Sequence, residues 1–321
     1  RIRPCTRFAR KASRVWWRLY GAAGDGSDLM NGQQRAHARF TSVEVRIDEA
    51  ARALLVRLPA QGPWAAGVEF LVFGLKQGWA ALYGGALLAL LMATALWYPA
   101  DAALSRYDFL FGCALAIQGV MLVARLEQPA EAWVILIFHL AGTAMEVFKT
   151  AAGSWTYPED SVLRIGAVPL FSGFMYAAVG SYLARVMRIF DMRFDRYPTA
   201  WATFLLAAAV YVNFFAHHFI PDGRWLLFGL TALLFGRCTV HYRVFRGRHR
   251  MHLLLGWFLV ALFIWIAENI ATLSRAWLYP DQLDGWVPVS PTKLGSWYLL
   301  MIVSFMLVTI VHRPRPMDEP S

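Results

Sequence analysis

Eight apolar stretches dominate this sequence and restrict what it can fold into. They cover residues 77–97, 107–125, 131–152, 168–190, 199–219, 224–242, 252–273 and 294–312. Each is close to the roughly 20 residues that a helix needs to cross a bilayer. Hydrophobic residues make up 58% of the chain and charged residues only 16%, against about 25% charge in soluble domains. The sequence therefore predicts an all-α, polytopic transmembrane bundle of about eight spans.

The connections between the stretches alternate in charge. Arginine is concentrated in 185–197, in 237–250 and in the tail, where Arg313 and Arg315 follow the last stretch. The other connections carry mainly acidic residues, namely Asp101, Glu159, Asp160, Asp222, Asp281 and Asp284. Because basic loops stay on the cytoplasmic side, the alternation predicts a multi-pass cell-membrane protein with both ends in the cytoplasm. The net charge of +10 is expected to contact membrane lipids and not nucleic acid.

Composition divides the chain into three parts. Residues 1–62 are basic and lack a sustained apolar face, so we predict a partly disordered segment; 63–313 form the transmembrane domain, and 314–321 form a cytoplasmic tail. The segment 63–76 fits either a membrane-surface helix or an extension of the first span. Residues 1–29 lack the apolar core of a secretory signal, and we expect their removal to leave the membrane domain intact.

A pattern of residues recurs at an offset of 122 positions. The identical pairs are Glu146 and Glu268, Thr150 and Thr272, Trp155 and Trp277, Tyr157 and Tyr279, Pro158 and Pro280, Pro169 and Pro291, Gly173 and Gly295, and Tyr176 and Tyr298. The offset moves the third span onto the seventh, which is an even number of crossings. We therefore predict a parallel internal duplication, with halves of about 63–190 and 191–313. The alternative is that loops after spans share Trp-x-Tyr-Pro for interfacial reasons, but the matching Glu, Gly and second Pro argue against it.

Polar side chains inside predicted spans are costly and indicate function or structural pairing. The third span carries His139, Glu146 and Lys149, the fifth carries Asn213, His217 and His218, and the seventh carries Glu268 and Asn269. Because these three spans run in the same direction, Glu146, Asn213 and Glu268 are expected at similar depths in the outer half of the membrane. One polar chamber is the simplest arrangement, with Glu146, Glu268 and His139 as candidate catalytic residues. The other polar residues, with Trp155 and Trp277, are candidates for binding the substrate.

Each of these residues also has a structural interpretation. Glu146 and Lys149 could form a buried ion pair, and Glu268 could hold helices together through a neighbouring Trp or Tyr. His218 could be solvated, and the two tryptophans could be interfacial anchors. Histidine and carboxylate ligands also suit iron or zinc, but the sequence has neither the HExxH nor the HxxxH pattern, and its three cysteines form no CxxC pair. We therefore predict no metal and no other cofactor.

Four segments resemble an uncharacterised bacterial integral-membrane family, the domain of unknown function numbered 817. They are FHLAGTAMEVFKTAAGSWTYPE (138–159), PLFSGFMYAAVGSYLAR (169–185), NFFAHHFIPD (213–222) and AENIATLSRAWLYP (267–280). The resemblance covers about 64–312 and implies a multi-span protein, but it brings no established activity and transfers no catalytic residues.

A shorter similarity concerns carotenoid hydratases and small lycopene cyclases, which also place a membrane Glu before a Gly- and Tyr-rich loop and a Pro-led span. The corresponding elements here are Glu146, Gly153, Tyr157 and Val168-Pro169. The sequence lacks the fuller Pro-Phe-Gly signature of those proteins, so the similarity is one of arrangement.

Three functions remain open from the sequence. The first is a membrane enzyme that performs acid–base chemistry on an apolar lipid or isoprenoid, because a carboxyl group in an apolar environment favours its protonated form and can donate that proton. The second is a transporter or channel in which the same carboxylates bind a proton, a cation or a small solute between parallel halves. The third is a structural or assembly protein whose buried polar groups only specify packing.

Overall fold

The computed structural model describes residues 41–56, 62–244 and 248–317. Within these ranges the chain is mostly helical. Its α-helices are α1 (Ser42–Val56), α2 (Pro63–Ala80), α3 (Leu82–Trp97), α4 (Arg106–Val123), α5 (Pro129–Ala151), α6 (Phe171–Ile189), α7 (Ala200–Ala216), α8 (Arg224–Phe235), α9 (Leu253–Leu273) and α10 (Thr292–Val311). Each of the eight predicted stretches contains one of the helices α3 to α10.

Four of these helices, α4, α5, α9 and α10, are long and apolar enough to cross a membrane. The helices α2 and α3 meet at an angle of 66° and together pass the same test. The helices α7 and α8 are apolar but shorter. The apolar character of these helices confirms the prediction of a helical, multi-pass membrane protein. The segment 63–76, for which two interpretations were open, belongs to α2.

The helices α5 and α6 form the closest pair in the described part of the chain. Three glycines allow this approach, because a Cβ atom would collide with the facing helix at each of them. A Cβ at Gly142 would lie 2.5 Å from Tyr176, one at Gly173 would lie 2.4 Å from His139, and one at Gly180 would lie 2.6 Å from Phe138. Small residues at such contacts bring helix backbones together in membrane proteins.

A small antiparallel sheet gathers the basic connections at one end of the molecule. Its strands are β3 (Arg193–Asp195), β4 (Thr239–Arg243) and β5 (Arg248–His252), in that order. The tail joins them, because Phe194 donates a backbone hydrogen bond of 2.9 Å to Arg315 and bridges to Pro316. The three segments predicted to lie in the cytoplasm are thus hydrogen-bonded to one another.

Buried ion pairs hold the helices together next to this sheet. Arg185 and Glu127 are 3.0 Å apart and both side chains are fully buried. Arg188 binds Glu131 at 2.9 Å and also contacts Glu44 of α1. A buried pair of this kind resists the loss of either partner, because the remaining charge would stay buried without compensation.

The opposite end of the molecule carries a second set of connections. The strands β1 (Arg164–Ile165) and β2 (Val168–Pro169) form a short hairpin before α6. Arg106 pairs with Glu159 at 2.6 Å, and Asp108 accepts backbone hydrogen bonds from Val162 and Leu163. These contacts fasten the loop that follows α5 to the start of α4.

The N-terminal segment is described only in part. Residues 42–56 of it form α1, and Asp48 of that helix pairs with Lys76 of α2 at 2.8 Å. The predictions for residues 1–29 and for residues 318–321 of the tail fall outside the described residues.

Candidate functional site

The Glu146 carboxylate accepts three side-chain hydrogen bonds. Trp155 donates from Nε1 and Tyr157 from its hydroxyl to Oε2, both at 2.7 Å. Tyr176 of α6 donates to Oε1 at 2.6 Å. The loop after α5 returns its two donors to the helix because Gly153 takes a left-handed conformation, with φ of 69°. Glu146 itself is 3% exposed, so these donors replace the water that an ionised carboxylate requires.

Glu268 is held in a similar way from α9. Its Oε1 accepts a hydrogen bond of 2.5 Å from Tyr279, and its Oε2 accepts one of 2.8 Å from Trp297 of α10. Tyr279 follows Glu268 by eleven residues, as Tyr157 follows Glu146. The turn between them again contains a left-handed residue, Arg275, with φ of 56°. This carboxylate has two donors where Glu146 has three.

The two carboxylate groups share one aromatic environment. The rings of Trp155 and Tyr279 meet edge to face at 6.1 Å, and those of Tyr176 and Trp297 lie 6.3 Å apart. Each contact joins a donor of one carboxylate to a donor of the other. The loops also join directly, because Thr156 and Leu278 exchange backbone hydrogen bonds of 2.9 Å.

Both carboxylates line a cavity of about 1000 Å³. This volume lies at the upper end of the range that small-molecule sites occupy, about 300–1,000 Å³. Its walls are mostly apolar and come from helices α2, α3, α5, α6, α7, α9 and α10. A ligand that fills such a space must be largely apolar, with a polar group near the carboxylates.

Seven of the ten residues predicted for the site line this cavity. They are Glu146, Glu268, Lys149, Asn213, His217, Trp155 and Trp277. His139 packs instead against Gly173 and the ring of Phe174, 4.6 Å away between centroids. His218 is exposed, and it contacts Lys149 from the rim. Asn269 fastens the loop before α10, since it accepts a hydrogen bond of 2.9 Å from the backbone of Val289.

Lys149 turns toward histidines and does not approach Glu146. Its ammonium group lies 3.4 Å from Nε2 of His217 and 3.0 Å from Nε2 of His218. Because Nδ1 of His217 faces the carbonyl oxygen of Asn213 at 3.1 Å, that nitrogen carries the proton and Nε2 can accept from Lys149. The proposed ion pair between Glu146 and Lys149 is not among the ion pairs of the described residues. The alternative role for Glu268 fits better, since a Tyr and a Trp do hold it between helices.

Asn213 and Asp222 close the turn between α7 and α8. The amide of Asn213 donates to Asp222 at 3.1 Å and accepts from the backbone of Gly223 at 2.9 Å. Partial burial alone would raise the pKa of Asp222, but the hydrogen bonds from Asn213 and Arg224 outweigh it and hold that pKa below its usual range. This turn fixes the position of His217, two residues before which the pair of carbonyl and imidazole contacts begins.

The donors to the two carboxylates, Tyr157, Tyr176, Tyr279 and Trp297, were not predicted as site residues. Two signals pointed to them: the equal spacing of Glu to Tyr in both halves, and the recurrence of Tyr176 as Tyr298. Lys293 was also missed, although it lies over the Tyr279 ring at 4.2 Å and lines the cavity. Among residues 41–56, 62–244 and 248–317, no group of three or more His, Cys, Asp or Glu side chains is arranged to hold a metal ion.

Comparisons with known proteins agree with the family resemblance. A relative from Bacillus subtilis (strain 168), the uncharacterized protein YoaT, is 45% identical over 243 residues, which is 76% of this chain and 91% of the relative. The crystal structure of the mycobacterial Insig homolog MvINS from Mycobacterium vanbaalenii aligns with 59% of this chain and 98% of its own, with a TM-score of 0.43 and 15% identity. The model of the family described as "Protein of unknown function (DUF817)" matches residues 69–305. That match covers most of the chain, which therefore belongs to the DUF817 family.

Proposed function

We propose that this protein is a membrane enzyme that binds an apolar lipid or isoprenoid between its helices and performs acid–base chemistry on it. The observation that carries the proposal is that Glu146 and Glu268, both buried, line one large and mostly apolar cavity. A structural role alone would not need the space beside them.

In this proposal Glu268 moves the proton and Glu146 shapes the site. Three donors occupy Glu146, whereas two occupy Glu268, and a carboxylate offers about four acceptor positions. Glu268 thus retains more capacity to bind a ligand group. Its bond with Tyr279 also gives a route by which a proton can pass between the hydroxyl, the carboxylate and a bound ligand.

The proposed architecture has eight crossings and both ends in the cytoplasm. It is supported by the way the connections pair. The segments that contain β3, β4 and the tail bind one another at one end, and the loops after α5 and α9 bind one another at the other end. Because successive connections belong alternately to these two groups, an even number of crossings accounts for them.

The proposed duplication is supported by equivalent contacts at the ends of α5 and α9. Ser154 donates to the carbonyl of Lys149, and Ala276 donates to that of Ala271, at 2.9 and 3.0 Å. Each pair is separated by 122 positions from its counterpart. Since both helices end next to the bridge between the two loops, they point in the same direction, as a parallel duplication requires.

Deuterium incorporation tests the chemistry. The purified protein, with the lipid that accompanies it, is incubated in heavy water, and the lipid is then analysed by mass spectrometry. We expect proton transfer to carbon to introduce deuterium in the natural protein and not in Glu268→Gln, which still binds the lipid. The control is Asp222→Asn, which lies in a surface turn and should behave as the natural protein does. Equal incorporation in all three proteins, or none in any, would contradict the proposed chemistry.

A further inference from the structure

Two lysines at the rim of the cavity have no acidic partner. Lys149 and Lys293 both line the cavity, and neither forms an ion pair with a carboxylate of the described residues. Lys149 is only 3% exposed. Placing an ammonium group there is costly unless an anion or strong acceptors compensate it, and the two imidazoles beside Lys149 supply acceptors but no negative charge.

Aromatic rings hold both ammonium groups in position. The Lys149 nitrogen lies 4.1 Å from the centre of the Phe214 ring, and the Lys293 nitrogen lies 4.2 Å from that of Tyr279. Lys293 is also 5.9 Å from the Trp155 ring. Such contacts orient a cation without neutralising it. The ammonium groups therefore remain able to bind an anion.

The surrounding charges concentrate positive potential at this rim. Lys149 is repelled by Lys293 and by Arg224, which also lines the cavity. The nearby acids are committed elsewhere: Asp222 pairs with Arg224 at 2.5 Å, and Glu268 is bound by Tyr279 and Trp297. Below the rim the walls become aliphatic and aromatic. The cavity is thus amphipathic, cationic at one end and apolar along the rest.

We infer that the ligand is an anionic amphiphile, whose phosphate or carboxylate head binds Lys149 and Lys293 and whose apolar part fills the cavity. This inference rests on the proposed function, because the same cavity holds the ligand. It narrows the substrate class from any apolar lipid to one with a negatively charged head. It also sets the direction of the ligand, with its head at the loops after α5 and α9.

Binding by the full-length protein in detergent micelles tests the inference. The probes are dioleoyl phosphatidic acid, dioleoylglycerol with the same chains and no charge, and inorganic phosphate. We expect the natural protein to bind phosphatidic acid roughly tenfold or more tightly than dioleoylglycerol. Lys293→Met and the double variant with Lys149→Met should reduce that preference and leave dioleoylglycerol binding unchanged. Lys149→Arg should keep it, which separates a lost charge from a folding defect.

The matched control is Arg164→Met, because Arg164 is exposed, lies on a loop at the same end of the molecule and does not line the cavity. It should bind as the natural protein does. Equal affinity for both lipids would overturn the charged head and leave the proposed function standing. Lysine-dependent binding of inorganic phosphate as tight as that of phosphatidic acid would overturn the amphiphile in favour of a free anion. No binding of either lipid would overturn the proposed function itself.

Discussion

Thr156 and Leu278 each donate a backbone hydrogen bond to the other, at 2.9 Å in both directions. The two residues are 122 positions apart, which is the offset of the internal repeat. A residue that pairs reciprocally with its own repeat equivalent lies on the axis that relates the two halves. The pair therefore marks where such an axis passes, between the loops that carry the donors to Glu146 and Glu268.

The reciprocal pairing predicts a specific cross-link. Opposite residues that exchange both hydrogen bonds have Cα atoms about 5.5 Å apart, a distance that a disulfide spans. With the native cysteines replaced, Thr156→Cys/Leu278→Cys should form an intramolecular disulfide on mild oxidation, detected as a shift in gel mobility that a reductant reverses. Thr156→Cys alone should show no shift. A double variant that remains reduced would contradict the pairing of the two loops.

The left-handed residues after α5 and α9 predict opposite effects of two substitutions. Gly153→Ala should destabilise the protein by about 1–2 kcal/mol, since a Cβ is disfavoured at positive φ. No atom lies within 4 Å of that Cβ, so the cost is conformational and not steric. Arg275→Gly should stabilise the protein by up to about 1 kcal/mol, because it removes the same strain. Thermal unfolding in detergent measures both, and changes of the same sign would show that the two turns are not equivalent.

The number of hydrogen-bond donors predicts which carboxylate matters more for stability. Leucine at either position leaves the donors unsatisfied, at about 1–3 kcal/mol for each buried donor. Glu146→Leu strands three and Glu268→Leu strands two. We expect the larger fall in melting temperature for Glu146→Leu. Equal falls, or a larger one for Glu268→Leu, would mean that Glu146 is not the structural member of the pair.

The proposed topology predicts which loops a membrane-impermeant thiol reagent reaches in intact cells. Single cysteines at Asp160 or Leu283 should react from outside, because both lie in the connections that follow α5 and α9. Single cysteines at Arg196 or Arg250 should react only after the membrane is opened, because their connections carry the arginines expected in the cytoplasm. Labelling of Arg250→Cys in intact cells would contradict eight crossings.

Hydrophobicity was sufficient to predict the helices, because apolar length and interrupting charges are local properties of the chain. The hairpin of β4 and β5 was not predicted, since its strands contain Arg243 and Arg248 and read as a charged loop. Strand pairing depends on contacts with β3 and the tail, which are distant in sequence. The sheet also explains why α8 ends at Phe235, several residues before the end of the apolar stretch.

The candidate site was predictable as a set of buried carboxylates but not as a set of contacts. Helical spacing suggested that Glu146 would meet Lys149, one turn away. The left-handed turn at Gly153 instead returns Trp155 and Tyr157 to the carboxylate, and Lys149 turns to His218. Sequence patterns describe neighbours on one helix, whereas these partners depend on how a loop folds back.

Occupation of the cavity by a lipid is the central claim, and native mass spectrometry of the protein extracted in mild detergent tests it most directly. The natural protein should carry a bound lipid with a defined mass. Ala267→Trp places a large ring in the cavity next to Glu268 and should remove that lipid. Ala116→Trp, on the exposed side of α4, should retain it. A natural protein without bound lipid, or an Ala267→Trp variant that carries the same lipid, would contradict the account.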